Sequence, residues 1–231
     1  MTTEISPGLV IQGFQPPLEL DRFKVIAFDM DSTLINIECI DEIADAAGKK
    51  AEVSAITEAA MRGEITDFKD SLRRRVALLK GVHADFLEQV YTERLRLNPG
   101  AEALLTAVHR AGLRSLLVSG GFTFFADRVR ERLQIHRAQS NVLGVEGGLL
   151  TGEVIGDIVD GAEKRRQLLR ACEEAGCEPS QAIAVGDGAN DLPMMSAAGL
   201  SVAFHAKPKV REQAMVAINL GGLDRLLEVL R

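Results

Sequence analysis

Lys24-Val-Ile-Ala-Phe-Asp29-Met30-Asp31-Ser32-Thr33 is the stretch on which the fold turns. Its first half is a short β-branched and aromatic run, which suits a strand buried on both faces better than an alternating edge strand. Comparable apolar runs recur at Leu113–Val118 and Ala182–Val185, with weaker ones at Leu200–Phe204 and Met215–Leu220. Helical patterns lie between them, at Ala101–Ala111, Phe122–Leu133 and Ala162–Ala175. This alternation of strand, turn and helix predicts an α/β fold with a parallel sheet covered on both sides.

Two stretches interrupt the rhythm. From Ile37 to Leu97 no strand is expected, only four helical patterns near Glu38–Ala47, Glu52–Arg62, Asp67–Lys80 and Asp85–Arg96, which read as a small helical insertion. Around Asn141–Asp160, short apolar pieces alternate with glycines, including Gly147-Gly148, and predict a β-hairpin added to the core.

Composition narrows the function. The chain has 231 residues, 46% of them hydrophobic, enough for a sizeable core. With 27 Lys and Arg against 33 Asp and Glu, the net charge of −6 repels a phosphate backbone, so no nucleic-acid partner is expected. Cys39, Cys172 and Cys177 lack metal-ligand spacing and read as reduced packing thiols. With no signal-like leader and no apolar run of the ~18–20 residues that cross a bilayer, a cytoplasmic protein without a membrane partner is expected.

The polar residues at the strand ends carry the chemistry. Asp29 and Asp31 stand two apart where the first strand ends, so both carboxylates can face one site, although an Asx turn with a Thr cap would use the same residues. Val185-Gly-Asp187-Gly-Ala-Asn190-Asp191 follows another apolar run and places two carboxylates and an amide in one glycine-bearing loop. Asn190 or Asp191 could equally cap the helix that follows. Hard oxygen ligands on separate strand ends suit Mg²⁺. Val118-Ser119-Gly120-Gly121, read as the lead-in to a helix, offers a hydroxyl and amides to an anion, or an ordinary N-cap. Lys164, Arg165 and Arg166 crowd a helix N-terminus, where each cation is unfavourable by about 0.3–1 kcal/mol, so helix stability does not explain them. Lys164, four residues before Leu168, should point inward, with a snorkelling surface position as the alternative.

The Asp-x-Asp-x-Thr strand end, the Ser, the Lys and the Gly-Asp-Gly-x-Asn-Asp loop, in this order, resemble the haloacid dehalogenase superfamily of aspartate-nucleophile phosphotransferases. The likeness runs from about Phe23 to the C-terminus and is nearest to the members that hydrolyse phosphoserine. It implies a Rossmann-like core over residues 1–36 and 98–231, and a helical cap over 37–97 inserted after the first core strand. It further implies Mg²⁺-dependent hydrolysis of O-phospho-L-serine, the last step of serine biosynthesis, in a monomer or homodimer. Asp29 would be the nucleophile that becomes an aspartyl phosphate and Asp31 the acid and then the base. Asp29, the Asp31 main-chain carbonyl and Asp187 would hold the metal, Ser119, Gly120 and Lys164 would bind phosphate, and Asn190 would contact substrate. Asp191 would orient Lys164 or a metal-bound water.

Substrate choice falls to the cap. At about 100° per residue along Asp67–Lys80, Phe68, Leu72, Val76 and Leu79 form one stripe that includes Arg75, while Arg73 and Arg74 point away. A guanidinium on an apolar face needs a partner, either an acid of a neighbouring cap helix or a ligand carboxylate. The resemblance assigns Arg75 to the substrate carboxylate, Glu38 to its ammonium and Phe68 to packing on it. Periodicity alone places Glu38 opposite the Ile40, Ile43, Ala44 stripe. A related phosphotransferase or a phosphatase for another small phosphate, such as phosphohomoserine, is the alternative activity. A phospho-accepting signalling module is a third reading.

Overall fold

In the computed structural model, which describes residues 2–61 and 64–231, β3 (Val25–Phe28) is fully buried and its side chains alternate between two cores. Ile26 and Phe28 join one apolar cluster, Val25 and Ala27 the other. That division explains the unbroken apolar run: a strand covered on both faces has no polar face to alternate with. Arg62, where one predicted cap helix ends, lies outside the described residues.

Among the described residues, nine strands form one sheet in the order β1-β2-β9-β8-β7-β3-β4-β5-β6. They are β1 (Thr2–Ser6), β2 (Leu9–Gln12), β3, β4 (Arg114–Phe122), β5 (Arg137–Glu146), β6 (Leu149–Ile155), β7 (Ala182–Gly186), β8 (Leu200–Phe204) and β9 (Val216–Ile218). The pairs from β9 through β8, β7, β3 and β4 to β5 are parallel. β5 and β6 form the expected antiparallel hairpin, whose turn uses Gly147 and Gly148 at positive φ. The sequence reading missed a second hairpin, in which β1 and β2 extend the sheet antiparallel to β9. Its signal was present in Pro7-Gly8 between β-branched residues.

Between β3 and Leu97 the described residues form four α-helices: α1 (Cys39–Ala46), α2 (Lys50–Met61), α3 (Phe68–Ala77) and α4 (Asp85–Gln89). The last is shorter than its pattern because Val90–Arg94 forms a wide π-type turn. The chain leaves and returns side by side, with Ile35 bridged to Leu97. On either side of β4 in the chain, α5 (Ala101–Arg110) and α6 (Thr123–Arg132) bury Leu104, Val108, Phe125 and Val129 in the first core. On the opposite face, α7 (Gly161–Ala175), α8 (Leu192–Met195) and α9 (Pro208–Gln213) contribute Leu168, Met194 and Val210 to the second. No helix among the described residues is long and apolar enough to cross a membrane.

The C-terminal ends of β3, β4 and β7 open on one crevice, the usual ligand position in an open parallel sheet. Asn141, 1% exposed, fixes its rim. Its Nδ2 donates to the Gly120 carbonyl at 2.8 Å, and its Oδ1 accepts the Val159 N–H at 2.8 Å. Replacing Asn141 by Ala removes both partners, so urea denaturation is expected to show a loss of about 2 kcal/mol. An unchanged midpoint would show that these bonds are dispensable.

Candidate active site

Asp29, the first residue after β3, is 5% exposed. Its Oδ1 accepts the Met30 N–H at 2.8 Å and lies 2.7 Å from the Lys164 Nζ. No bond from the described residues to its Oδ2 is found, and Asp29 lines a cavity of about 740 Å³. Burial first, and then the charge of Asp191, raise the Asp29 carboxyl well above the ordinary range, while Lys164 pulls it down.

The chain then makes a wide turn over Met30–Leu34 in which Ser32 adopts φ +56°. For a non-glycine residue that conformation carries strain of about 1 kcal/mol. The turn brings Asp31 against the start of α1, where its Oδ2 accepts the Cys39 N–H at 3.1 Å and its Oδ1 the Cys39 thiol at 3.2 Å. Burial and the nearby Glu38 charge push the Asp31 carboxyl up to about 7 despite those donors. Two carboxylates two residues apart thus have different partners and different roles open to them.

Lys164, in the first turn of α7, is 0% exposed, so the inward orientation predicted for it is the observed one. Its ammonium lies 2.7 Å from Asp29 Oδ1 and 2.7 Å from Asp191 Oδ1. These carboxylates hold its pKa above the ordinary value even though burial alone would lower it. Asp191 also shapes the loop after β7, since its Oδ2 accepts the Asp187 N–H at 3.1 Å and the Gly188 N–H at 3.0 Å. A Cβ at Gly186 would stand 2.5 Å from Asp191 Cγ, so glycine is required there for close approach. Asp187 accepts the Thr33 hydroxyl at 3.3 Å and is pushed up to about 7 by burial, Asp191 and Glu38. Ligand oxygens of Asp29, Asp187 and Asp191 lie within 4.8 Å of one another, a set able to hold a hard cation. The Asp31 carboxylate is not part of that set.

Ser119 and Gly120 line the cavity from the extended end of β4 rather than from a helix, because α6 begins only at Thr123. The Ser119 hydroxyl oxygen accepts the Gly121 N–H at 2.8 Å. Asn190 and Lys207 complete this side.

The helices after β3 form the opposite wall. Phe68 opens α3, and its Cζ would come within 3.0 Å of a Cβ at Gly120, so the ring lies directly on that backbone. Lys69 Nζ and Asp160 Oδ2, 3.1 Å apart, join the same two parts of the chain. Arg75 is half-buried on the Leu72, Val76 side of α3, while Arg73 and Arg74 are exposed, as the wheel predicts. Its Nε donates to the Ser71 carbonyl at 3.4 Å, and burial lowers its pKa against the opposing pull of Asp41, Glu38 and Asp31. Glu38 lines the cavity although periodicity turns it away, because it precedes α1 and does not follow the helical wheel. Its Oε1 accepts the Ser32 hydroxyl at 2.6 Å. All eleven candidate residues except Lys164 and Asp191 border the cavity, and those two lie just behind Asp29 and Asp187. Sequence reasoning did not single out Cys39, Asp41 or Lys207 for roles here. Lys207 lies in the turn between β8 and α9, and Cys39 and Asp41 are isolated side chains that no spacing rule marks.

Comparison with known proteins shows the family to which the chain belongs. Residues 23–199 match the family of haloacid dehalogenase-like hydrolases. A phosphoserine phosphatase of Polaromonas sp. strain JS666 is 67% identical over 233 residues, covering 99% of each chain. The structure of a probable phosphoserine phosphatase from Vibrio cholerae superposes with a TM-score of 0.83 at 44% identity, over 95% of this chain and 67% of that one. A substrate-bound phosphoserine phosphatase superposes with a TM-score of 0.84 at 38% identity, over 90% of this chain and 99% of that one. By sequence and by fold, the chain belongs to the haloacid dehalogenase-like hydrolases.

Proposed function

We propose that the protein hydrolyses O-phospho-L-serine to L-serine and phosphate through an aspartyl phosphate on Asp29, as the final step of serine formation. The observation that carries this reading is a single cavity with Asp29, Asp31 and Ser119 on one wall and Arg75 and Glu38 on the other. The first group suits a phosphate ester and the second an amino-acid zwitterion. Residues 37–97 act as the cap that selects the substrate, and 1–36 with 98–231 as the core that performs the chemistry.

In the first step the free Asp29 Oδ2 attacks phosphorus in line, a P–O bond forms to the carboxylate, and the bond to the serine oxygen breaks. Asp31, with its carboxyl near 7, donates its proton to the departing alkoxide. In the second step the ionised Asp31 takes a proton from water, which attacks phosphorus and releases Asp29. Lys164 fixes the Asp29 oxygen that does not attack and offsets part of the phosphate charge. The Ser119 hydroxyl and the Gly120 amide bind phosphate oxygens, Asn190 contacts the substrate, and Asp191 holds Lys164 in place. Arg75 receives the carboxylate in its planar fork, Glu38 accepts the ammonium, and Phe68 packs on the substrate.

Asp29, Asp187 and the Asp31 main-chain carbonyl would hold Mg²⁺. The fit rests on the all-oxygen donor set and on three gathered carboxylates, two of which share the Lys164 ammonium. When bound, such an ion offsets the repulsion between carboxylate and phosphate, about 4 kcal/mol per pair of unit charges at ~4 Å and an effective dielectric near 20.

A phosphoserine assay with Mg²⁺ tests the assignment. Asp29→Asn is expected to abolish turnover, and undiminished activity would reject the nucleophile. Arg75→Ala is expected to cost about 2–4 kcal/mol, or ~30- to 1000-fold in kcat/KM, for phosphoserine. The loss on p-nitrophenyl phosphate, which has no carboxylate, should be far smaller, and equal losses would remove Arg75 from substrate recognition.

The raised carboxyls also set a pH dependence. Between about 4 and about 7 the folded protein binds more protons at Asp31 and Asp187 than the unfolded chain does. Stability without divalent ions is therefore highest at the acid end of this window and falls as pH rises through 7. Because protons compete with the metal, Mg²⁺ should raise the melting temperature more at pH 8 than at pH 5.5, and Asp187→Asn should shrink that gain. A Mg²⁺ effect independent of both pH and Asp187 would place the ion elsewhere.

A further inference from the structure

The scheme above leaves one buried polar group without a task. Cys39 is 0% exposed and opens α1, and both of its donors go to a single carboxyl group. Its N–H donates to Asp31 Oδ2 at 3.1 Å and its thiol to Asp31 Oδ1 at 3.2 Å. Among the described residues, Cys39 is the one donor to the Asp31 side chain. A thiol enclosed beside a carboxyl group keeps its proton, so the sulfur donates and the oxygen accepts.

With the bond to Oδ2 alone, the Asp31 carboxyl group could turn about its Cβ–Cγ bond, a torsion with only broad preferences. A second bond to the other oxygen fixes the plane. Oδ1 is the oxygen nearer to β4, since a Cβ on Gly121 would stand 3.2 Å from it and 3.0 Å from Ser119 Oγ. The thiol thus holds the oxygen that lies toward the strand end carrying Ser119 and Gly120, in a side chain that borders the cavity.

We propose that Cys39 is a positioning residue for proton transfer, whose thiol holds Asp31 Oδ1 in the orientation from which a proton passes to the serine oxygen as the P–O bond breaks. This rests on the phosphoserine reading, with Asp31 as the acid, and extends it to a residue that touches neither substrate nor phosphate. The transferred proton is the one on Asp31, and Cys39 keeps its own. A protonated carboxyl group retains acceptor capacity, so the thiol bond and an O–H directed at the leaving group coexist. A general acid in the right place contributes about 100- to 10,000-fold, and its efficiency depends on hydrogen-bond reach. How much it contributes also depends on the leaving group. The serine alkoxide is a strong base that leaves poorly without a proton, whereas p-nitrophenolate is a weak base that leaves as the anion.

The test compares kcat/KM for O-phospho-L-serine and for p-nitrophenyl phosphate. This ratio covers events only up to departure of the leaving group and so excludes the later hydrolysis of the phosphate on Asp29. Cys39→Ala and Cys39→Val remove the donor, the first with a loss of volume and the second without, while Cys39→Ser keeps a donor as a hydroxyl. Each donor-free variant is expected to lose about tenfold on phosphoserine and less than about twofold on p-nitrophenyl phosphate, with Cys39→Ser within about threefold of wild type on both. Equal losses on the two substrates, no loss, or a loss that Ser does not restore overturns the proposal. So does failure of both donor-free variants to fold, which would make Cys39 a packing residue. Asp31→Asn separates these failures from that of the underlying reading. If the wild-type protein does not hydrolyse phosphoserine, or Asp31→Asn lowers both substrates equally, that reading falls and Cys39 with it. If Asp31→Asn loses activity selectively on phosphoserine and the Cys39 variants do not, Cys39 alone is rejected.

Discussion

An ammonium group enclosed by two carboxylates is the interaction on which the rest depends. Lys164 is fully buried, and burial alone works against its charge. Asp29 and Asp191, each 2.7 Å from its Nζ, reverse that balance. The three residues come from the start of α7, the end of β3 and the loop after β7, so one contact fixes the relative position of three distant parts of the sequence. Removing one member of a buried pair strands the other charge and typically costs about 3–5 kcal/mol. The ordered strand ends and the ion pair therefore support one another.

The same contact leaves the site short of positive charge. Lys164 meets two carboxylates, and Asp187 stands within reach of both, so the crevice holds more anionic side chains than the ammonium can balance. Part of the difference is met by protonation, since Asp31 and Asp187 are both pushed up to about 7. The remainder is a standing attraction for a divalent ion. An excess of carboxylates around a buried lysine is a poor way to stabilise a fold, and it suits the cation site that the proposed mechanism requires.

How far the sequence discloses this depends on what kind of signal each residue carries. Strand ends were legible because β3 and β7 are covered on both faces, which leaves apolar runs that stop abruptly at Asp29 and Asp187. Lys164 was legible because a cation in the first turn of a helix opposes the helix dipole and needs another reason to be there. Arg75 was legible from the helical wheel. Glu38 was not, because the wheel applies only inside a helix and Glu38 stands just before one. The bonds of Cys39 to Asp31 depend on the turn at Ser32, and tertiary packing of that kind has no period to read. The β1–β2 hairpin escapes a reading built outward from β3, although Pro7-Gly8 favours a turn and the flanking Ile5, Val10 and Ile11 favour strands.

Chemistry and selection are divided between two kinds of support. Asp29, Ser119 and Asp187 sit at or just beyond the ends of buried parallel strands, where a small displacement would disturb both cores at once. Glu38, Phe68 and Arg75 sit on α3 or just before α1, and this wall is tied to the core by Phe68 lying on Gly120, by the partly exposed Lys69–Asp160 pair and by backbone bonds that link Gly81, Val82 and Ala84 to β6 and its turn. An exposed ion pair contributes only about 0–1 kcal/mol, so the bonds to β6 and the apolar cluster shared with the core carry most of that attachment. In the proposed scheme, selectivity would follow from how well a ligand's charges meet Arg75 and Glu38 on this wall, while the phosphate chemistry would be set by the strand ends.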